Sequence, residues 1–147
     1  MTRTFNIRMV FRTMGALLLI EAVFMTLALG VSLWYNEPDN GVFLLSTIIT
    51  LLAGLIGLSI GRRAESRMGE REGYVIVAMV WVVFSAFGLL PYYLSGQVPS
   101  FTDAWFESMS GFTTTGATII PDLEVITHGL LFWRSLTQWI GGMGIIV

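Results

Sequence analysis

The sequence predicts an all-α membrane protein: four transmembrane helices, with a re-entrant helix and loop between the third and the fourth. Three observations carry this prediction. Hydrophobic residues make up 54% of the 147 and charged residues only 12%, about half the roughly 25% usual in globular chains. Four apolar runs, at 14–35, 42–60, 74–94 and 129–147, each hold about 19–22 residues. Each is long enough to cross about 30 Å of hydrocarbon as a helix. Between the last two runs lies a shorter apolar piece that ends in Phe112-Thr113-Thr114-Thr115-Gly116-Ala117-Thr118.

The first run follows Arg3, Arg8 and Arg12. A signal peptide has an apolar core of about 7–15 residues, so this longer run reads as a retained helix. Glu21 interrupts it, and an ionisable residue at that depth is a functional candidate by default. Burial against another helix is the favoured reading. The second run carries Gly57 and Gly61 in GxxxG spacing. Such spacing lets helices approach closely, although ordinary membrane glycine is the favoured reading here. Pro91 lies near the end of the third run, where a helix can stop or kink. In the fourth, Gly141, Gly142 and Gly144 suit close packing or bending, and Thr137 and Gln138 could hydrogen-bond behind the loop.

Arginine placement predicts orientation. Arg3, Arg8 and Arg12 precede the first helix, and Arg62, Arg63, Arg67 and Arg71 separate the second from the third. Alternating helices put these seven of the eight Arg on one side, which the positive-inside rule makes cytoplasmic. The Thr-Gly loop then opens from the outer face.

Several classes are disfavoured. A net charge of −2 gives no basic footprint for nucleic acid, and without cysteine there is neither a disulfide framework nor a thiolate metal site. No Ser/His/Asp set, carboxylate pair or phosphate loop stands out, so no enzyme and no cofactor is expected. His128 stands alone at a helix start, which makes a metal site there unexpected.

The short piece, 101–111, suits a helix capped by Ser100 or Thr102. Asp103 lies in its first turn, where the helix dipole favours negative charge. Glu107, four residues on, shares that face. Eleven residues at 1.5 Å each reach about 17 Å, roughly half the bilayer. The chain must then return, and its backbone cannot face lipid unpaired. Three consecutive threonines are β-branched and favour extended backbone, which can present carbonyls along an axis. Gly116 permits unusual dihedrals and close approach of an ion. Carbonyls can replace the water around a monovalent cation, and no carboxylate occurs between Glu107 and Asp122. Arg134 enters the fourth run near the outer face, where it must snorkel or pair. A short-helix acid, Asp103 or Glu107, is the favoured partner, and Arg134 is expected to act on assembly more than on selectivity.

Residues 108–118 resemble the first pore loop of the Trk/Ktr/HKT potassium transporter superfamily. Phe132-Trp133-Arg134-Ser135-Leu136-Thr137-Gln138-Trp139-Ile140-Gly141-Gly142-Met143-Gly144 resembles the start of that family's next helix, and the first two helices resemble the N-terminal pair of the TrkH branch. The resemblance implies four helix–pore loop–helix units around one pore. It makes 101–111 a pore helix and puts the selectivity filter on Thr113, Thr114, Thr115, Gly116 and Ala117. K+ then lies at Thr114, Thr115 and Gly116, and Asp103, Glu107 and Arg134 are supports. Gly116 points to K+ rather than Na+. Thr118, where many potassium channels have a second filter glycine, implies a looser filter that passes Rb+ and some Na+. The resemblance further implies a bacterial inner membrane, a homodimer of the full-length protein and a cytosolic nucleotide-binding regulatory subunit of the TrkA type.

The expected organisation is an N-terminal helix pair with its Arg-rich loop in 1–73, and one helix–pore loop–helix unit in 74–147. One loop cannot surround an ion, so the chain is expected to be the N-terminal part of a longer protein rather than one of four assembling copies. The rival reading is a non-conducting structural or assembly membrane protein with an external Thr-Gly turn.

Overall fold

The computed structural model describes residues 6–63 and 70–146. Arg3, Arg67 and Val147 lie outside them, and of Arg63 and Arg71 only the backbone is described. The elements, in order, are α1 (Ile7–Trp34), α2 (Asn40–Ile60), a 3-10 turn (Gly61–Arg63), α3 (Glu70–Gly88), α4 (Leu90–Leu94), α5 (Phe101–Phe112) and α6 (His128–Ile146). No strand occurs among the described residues.

Three of these segments are long and apolar enough to cross a membrane: Ile7–Trp34, Asn40–Ile60 and Gly73–Leu94. The fourth predicted span forms the 19-residue α6 but is not among them. Its side chains are described only as far as Gly144, which leaves fewer residues than a span requires.

Helix α1 starts earlier than the apolar run because the Asn6 side chain caps it, accepting from the Met9 N–H at 3.2 Å. It ends in a Schellman motif. Asn36 is left-handed, with φ 54°. The Asn36 N–H reaches the Leu33 carbonyl and the Glu37 N–H reaches Ser32. Asn tolerates this conformation because its short polar side chain bonds locally.

Helices α1 and α2 cross with almost no space between them. A Cβ on Gly15 would stand 2.6 Å from the Gly54 carbonyl oxygen. One on Gly57 would stand 2.9 Å from the Gly15 Cα, and one on Gly61 would strike the Arg12 side chain. The preference for ordinary membrane glycine at Gly57 and Gly61 is therefore corrected. Both are contact glycines that let two backbones meet, which is the main source of helix association where lipid is as apolar as the side chains.

Pro91 breaks the third run. It has no N–H to offer the carbonyl four residues back, so α3 stops at Gly88 and the five-residue α4 follows. At this break the Gly88 carbonyl, the last of α3, is met by another helix. The indole Nε1 of Trp133, a fully buried residue of α6, donates to it at 3.0 Å. Trp133 packs with Phe84, Tyr92, Ala104, Phe112 and Leu130 in the central core, where α3, α4, α5 and α6 converge. This core fixes the height and tilt of α5.

Glu21 is buried, as expected, and neither carboxylate oxygen meets a hydrogen-bond partner among the described residues. It faces Gly88, where an added Cβ would lie 3.2 Å from Glu21 Oε1 and 2.7 Å from Ser108 Oγ. Gly88 of α3 thus lies between Glu21 of the first helix and Ser108 of α5.

A polar latch joins the α1–α2 turn to the start of α6. The Glu37 carboxylate accepts from the His128 N–H at 2.6 Å, from Gly129 N–H at 2.9 Å and from His128 Nδ1 at 2.8 Å. Tyr35 stacks on the imidazole, the ring centroids 4.0 Å apart. Asp39 accepts from Gln97 Nε2 at 2.9 Å and from the Thr127 hydroxyl. Partial burial raises the pKa of Glu37, but the hydrogen bonds from Gly129 and His128 outweigh it, so the pKa falls below the usual carboxylate value. A lowered pKa contributes stability that is present above the unfolded-state value and is lost as pH falls through the folded-state value. The thermal midpoint should therefore drop on acidification below the ordinary carboxylate range, and Glu37→Gln should flatten that drop. Parallel acid dependence of the wild type and the variant would contradict the assignment.

Candidate functional site

Helix α5 carries the site. Ser100 caps it, its hydroxyl accepting from the Asp103 N–H at 3.4 Å, and twelve residues bring it to Phe112. At its far end the chain turns through a complete Schellman motif. The Thr114 N–H bonds the Gly111 carbonyl at 2.9 Å and the Thr115 N–H bonds Ser110 at 3.0 Å. The motif demands a left-handed residue at the position of Thr114, where φ is 58°. Glycine normally occupies that position. A β-branched residue there is strained by about 1–3 kcal/mol, a feature that clusters at functional sites.

The predicted extended threonine run is corrected by this turn. Thr113, at φ −78° and ψ 2°, ends the helix, Thr114 is left-handed, and Gly116 is left-handed again with φ 72°. The physical reason is the helix end itself, whose free carbonyls capture the next N–H groups before a strand can begin. An unbroken strand would send alternate carbonyls to opposite sides. Left-handed residues at 114 and 116 interrupt that alternation.

The returning chain is held from behind by Glu107. This residue is 1% exposed, and its carboxylate accepts from the Thr118 hydroxyl at 3.0 Å, the Ile119 N–H at 3.1 Å and Arg134 Nε at 2.7 Å. A buried charge requires such pairing. Arg134 also donates from Nη2 to the Gly116 carbonyl at 3.2 Å. One residue further, the Ala117 carbonyl accepts from Ser110 Oγ at 2.6 Å. Thr113 Oγ1 lies 2.9 Å from Thr115 Oγ1 and donates to the Met109 carbonyl at 2.7 Å. Residues 114–118 are exposed on the opposite side.

The sequence-predicted residues thus fall into two groups. Glu107, Arg134 and the loop 113–117 come together. Asp103 does not join them. It lines a small cavity of about 180 Å³ with Gln97, Ile119 and Pro121, and its carboxylate makes no hydrogen bond among the described residues. Thr137 and Gln138 do not hydrogen-bond the loop. Thr137 donates to its own helix at the Arg134 carbonyl, 2.8 Å away, because α6 presents it to Gly111 rather than to the loop. Gln138 Nε2 only lies alongside Gly116. Ser110 and Thr118 were missed as loop anchors. Hydroxyls flanking a glycine-centred turn are a signal for them, since such side chains bond nearby backbone.

Of the three late glycines, Gly141 is the packing residue. A Cβ there would fall inside van der Waals contact with the Phe112 carbonyl oxygen, whereas Gly144 faces open space within this chain. Gly141→Ala should push α6 off the end of α5 and cost about 1–3 kcal/mol, in the range of overpacked cores. An unchanged thermal midpoint would contradict the contact.

The architecture and the site define an all-α membrane protein whose half-length helix hands the chain to a tethered, glycine-centred loop. The chain belongs to the TrkH cation transport protein family, which it matches over residues 39–147. It is 37% identical over 97% of its length to the Trk system potassium uptake protein TrkH of Halomonas elongata, and 38% identical over 97% to that of Salmonella typhimurium. An uncharacterized cation transporter of Methanocaldococcus jannaschii is 37% identical over 97%. The crystal structure of the potassium transporter TrkH from Vibrio parahaemolyticus superposes with a TM-score of 0.91 at 36% identity, covering 97% of this chain and 31% of that one. The chain spans about 30% of the length of the curated relatives it matches.

Proposed function

We propose that this chain supplies the first pore unit of a potassium uptake protein. Dehydrated K+ passes the backbone carbonyls of Thr113, Thr114, Thr115, Gly116 and Ala117, and K+ rests at Thr114, Thr115 and Gly116. The observation that carries this reading is a loop open on one side and tethered on the other. Glu107, Arg134 and Ser110 hold it from behind, while residues 114–118 stay exposed. Neutral carbonyl oxygens suit a monovalent cation. The negative end of the α5 dipole, near Gly111, favours a cation at the loop.

One loop supplies ligands from one direction only. The reading therefore places this unit among others in a longer chain, with 1–73 as an accessory helix pair and 74–147 as the helix–loop–helix unit. An apolar groove of about 310 Å³ flanks α5, lined by Trp105, Phe106, Met109, Thr113 and Thr115, and is suited to packing against a neighbouring unit. The relatives' names as potassium uptake proteins support the choice of K+. The role is transport rather than catalysis, and the ion is substrate, so the passage calls for no cofactor. On the same reading the protein lies in a bacterial inner membrane with its N-terminus cytoplasmic, forms a homodimer and is gated by a TrkA-like nucleotide-binding subunit in the cytosol.

The test is ⁸⁶Rb+ uptake in cells deficient in potassium transport that carry the full-length gene. Uptake restored above the empty-vector level supports the reading. Correctly inserted protein with no uptake supports the non-conducting alternative.

A further inference from the structure

Gly116 poses a problem that the sequence of the loop does not solve. Glycine populates both signs of φ with little preference, so nothing local fixes the direction of its carbonyl. In the snug-fit account of selectivity, a ligand discriminates between ions of different size when its peptide plane is held in place. The structure supplies the restraint from outside the loop.

We infer that Arg134 is a selectivity-positioning residue that clamps the Gly116 carbonyl and thereby sets discrimination between K+ and Na+. This inference rests on the filter reading above. Arg134 Nη2 lies 3.2 Å from the Gly116 carbonyl oxygen, and Arg134 Nε lies 2.7 Å from Glu107 Oε1. The two donors belong to one rigid, planar guanidinium, so fixing one end on buried Glu107 fixes the other on the filter. Glu107 is itself immobilised by the Thr118 hydroxyl and the Ile119 N–H. The clamp therefore grips the loop at 116, 118 and 119. A carbonyl oxygen has two lone pairs. Arg134 occupies one, which leaves the other for an ion. The neighbouring Ala117 carbonyl is held separately by Ser110 Oγ at 2.6 Å, so two successive peptide planes are restrained by side chains of different helices. A purely structural ion pair would stop at Glu107. The second bond, to the filter backbone, gives Arg134 a role beyond assembly.

Lysine separates the two roles. Its ammonium is one point donor on a flexible stem, able to neutralise Glu107 but without a fork to hold Gly116 in register. The experiment measures inhibition of ⁸⁶Rb+ uptake by Na+ and by K+ for the full-length wild type, Arg134→Lys, Arg134→Gln and Gly116→Ser. The readout is a ratio of inhibitory concentrations, so reduced protein levels do not obscure it. Loss of a charge-assisted hydrogen bond is expected to lower K+ over Na+ discrimination roughly tenfold in Arg134→Lys and in Arg134→Gln. Discrimination that falls in Gly116→Ser but stays at the wild-type value in both Arg134 variants overturns the clamp and leaves the filter reading standing. Discrimination unchanged in all three overturns both.

Discussion

Replacing Gly116 by Ser in the full-length protein should sharply reduce the preference for K+ over Na+. The reason is conformational rather than steric. The space around an added Cβ is open, the nearest atom being Gln138 Nε2 at 3.9 Å. The backbone, however, sits at φ 72°, where an L-residue is disfavoured by about 1–2 kcal/mol. Serine relieves that strain by rotating the peptide, which turns the carbonyl away from the direction that Arg134 holds. Cells that depend on this protein should then need more external K+ for growth and become more sensitive to Na+. Wild-type growth at limiting K+, with unchanged Na+ tolerance, would remove Gly116 from the filter.

Removing the Glu107 carboxylate should have the largest effect on stability. Its three donors are Arg134 Nε, the Thr118 hydroxyl and the Ile119 N–H, and it is almost completely buried. Glu107→Ala leaves a guanidinium with 14% side-chain exposure without its ion-pair partner. Breaking one half of a buried pair costs about 3–5 kcal/mol. The variant should lose thermal stability in fluorescence-detected size-exclusion chromatography of the purified full-length protein. Asp103→Ala, by comparison, removes a group with no partner among the described residues and should stay within about 0.5 kcal/mol of the wild type. Equal destabilisation by the two substitutions would mean that Glu107 does not organise the loop.

Much of this architecture is written in run lengths. Apolar stretches long enough for a bilayer became α1, α2 and the α3–α4 pair, and the half-length piece became α5 within one residue of its expected end. Helix boundaries were less legible because they depend on caps. Asn6 extends α1 outward, and Pro91 divides one span into two helices. The fourth run, too, folds as a helix, α6.

At the site, charge gave the clearest signal. An arginine inside an apolar run and an acid on a short helix have strong reason to meet, and Arg134 pairs with Glu107. The left-handed state of Thr114 was hidden, since three β-branched residues argue for a strand. The carbonyls at the end of α5 override that preference. The GxxxG spacing of Gly57 and Gly61 signalled a close approach without deciding it, because a contact glycine is defined by the partner it meets. The latch formed by Glu37, Asp39, Gln97 and Thr127 joins residues up to 92 positions apart in the chain, and no local pattern announces it.

The central claim is that main-chain oxygens of this loop hold the ion. Anomalous diffraction from crystals of the full-length protein grown in Rb+ tests it most directly. The account predicts anomalous density within coordination distance of the carbonyls of Thr114, Thr115 and Gly116. Rb+ density confined to carboxylate side chains elsewhere, with none along this backbone in an ion-conducting protein, would contradict it.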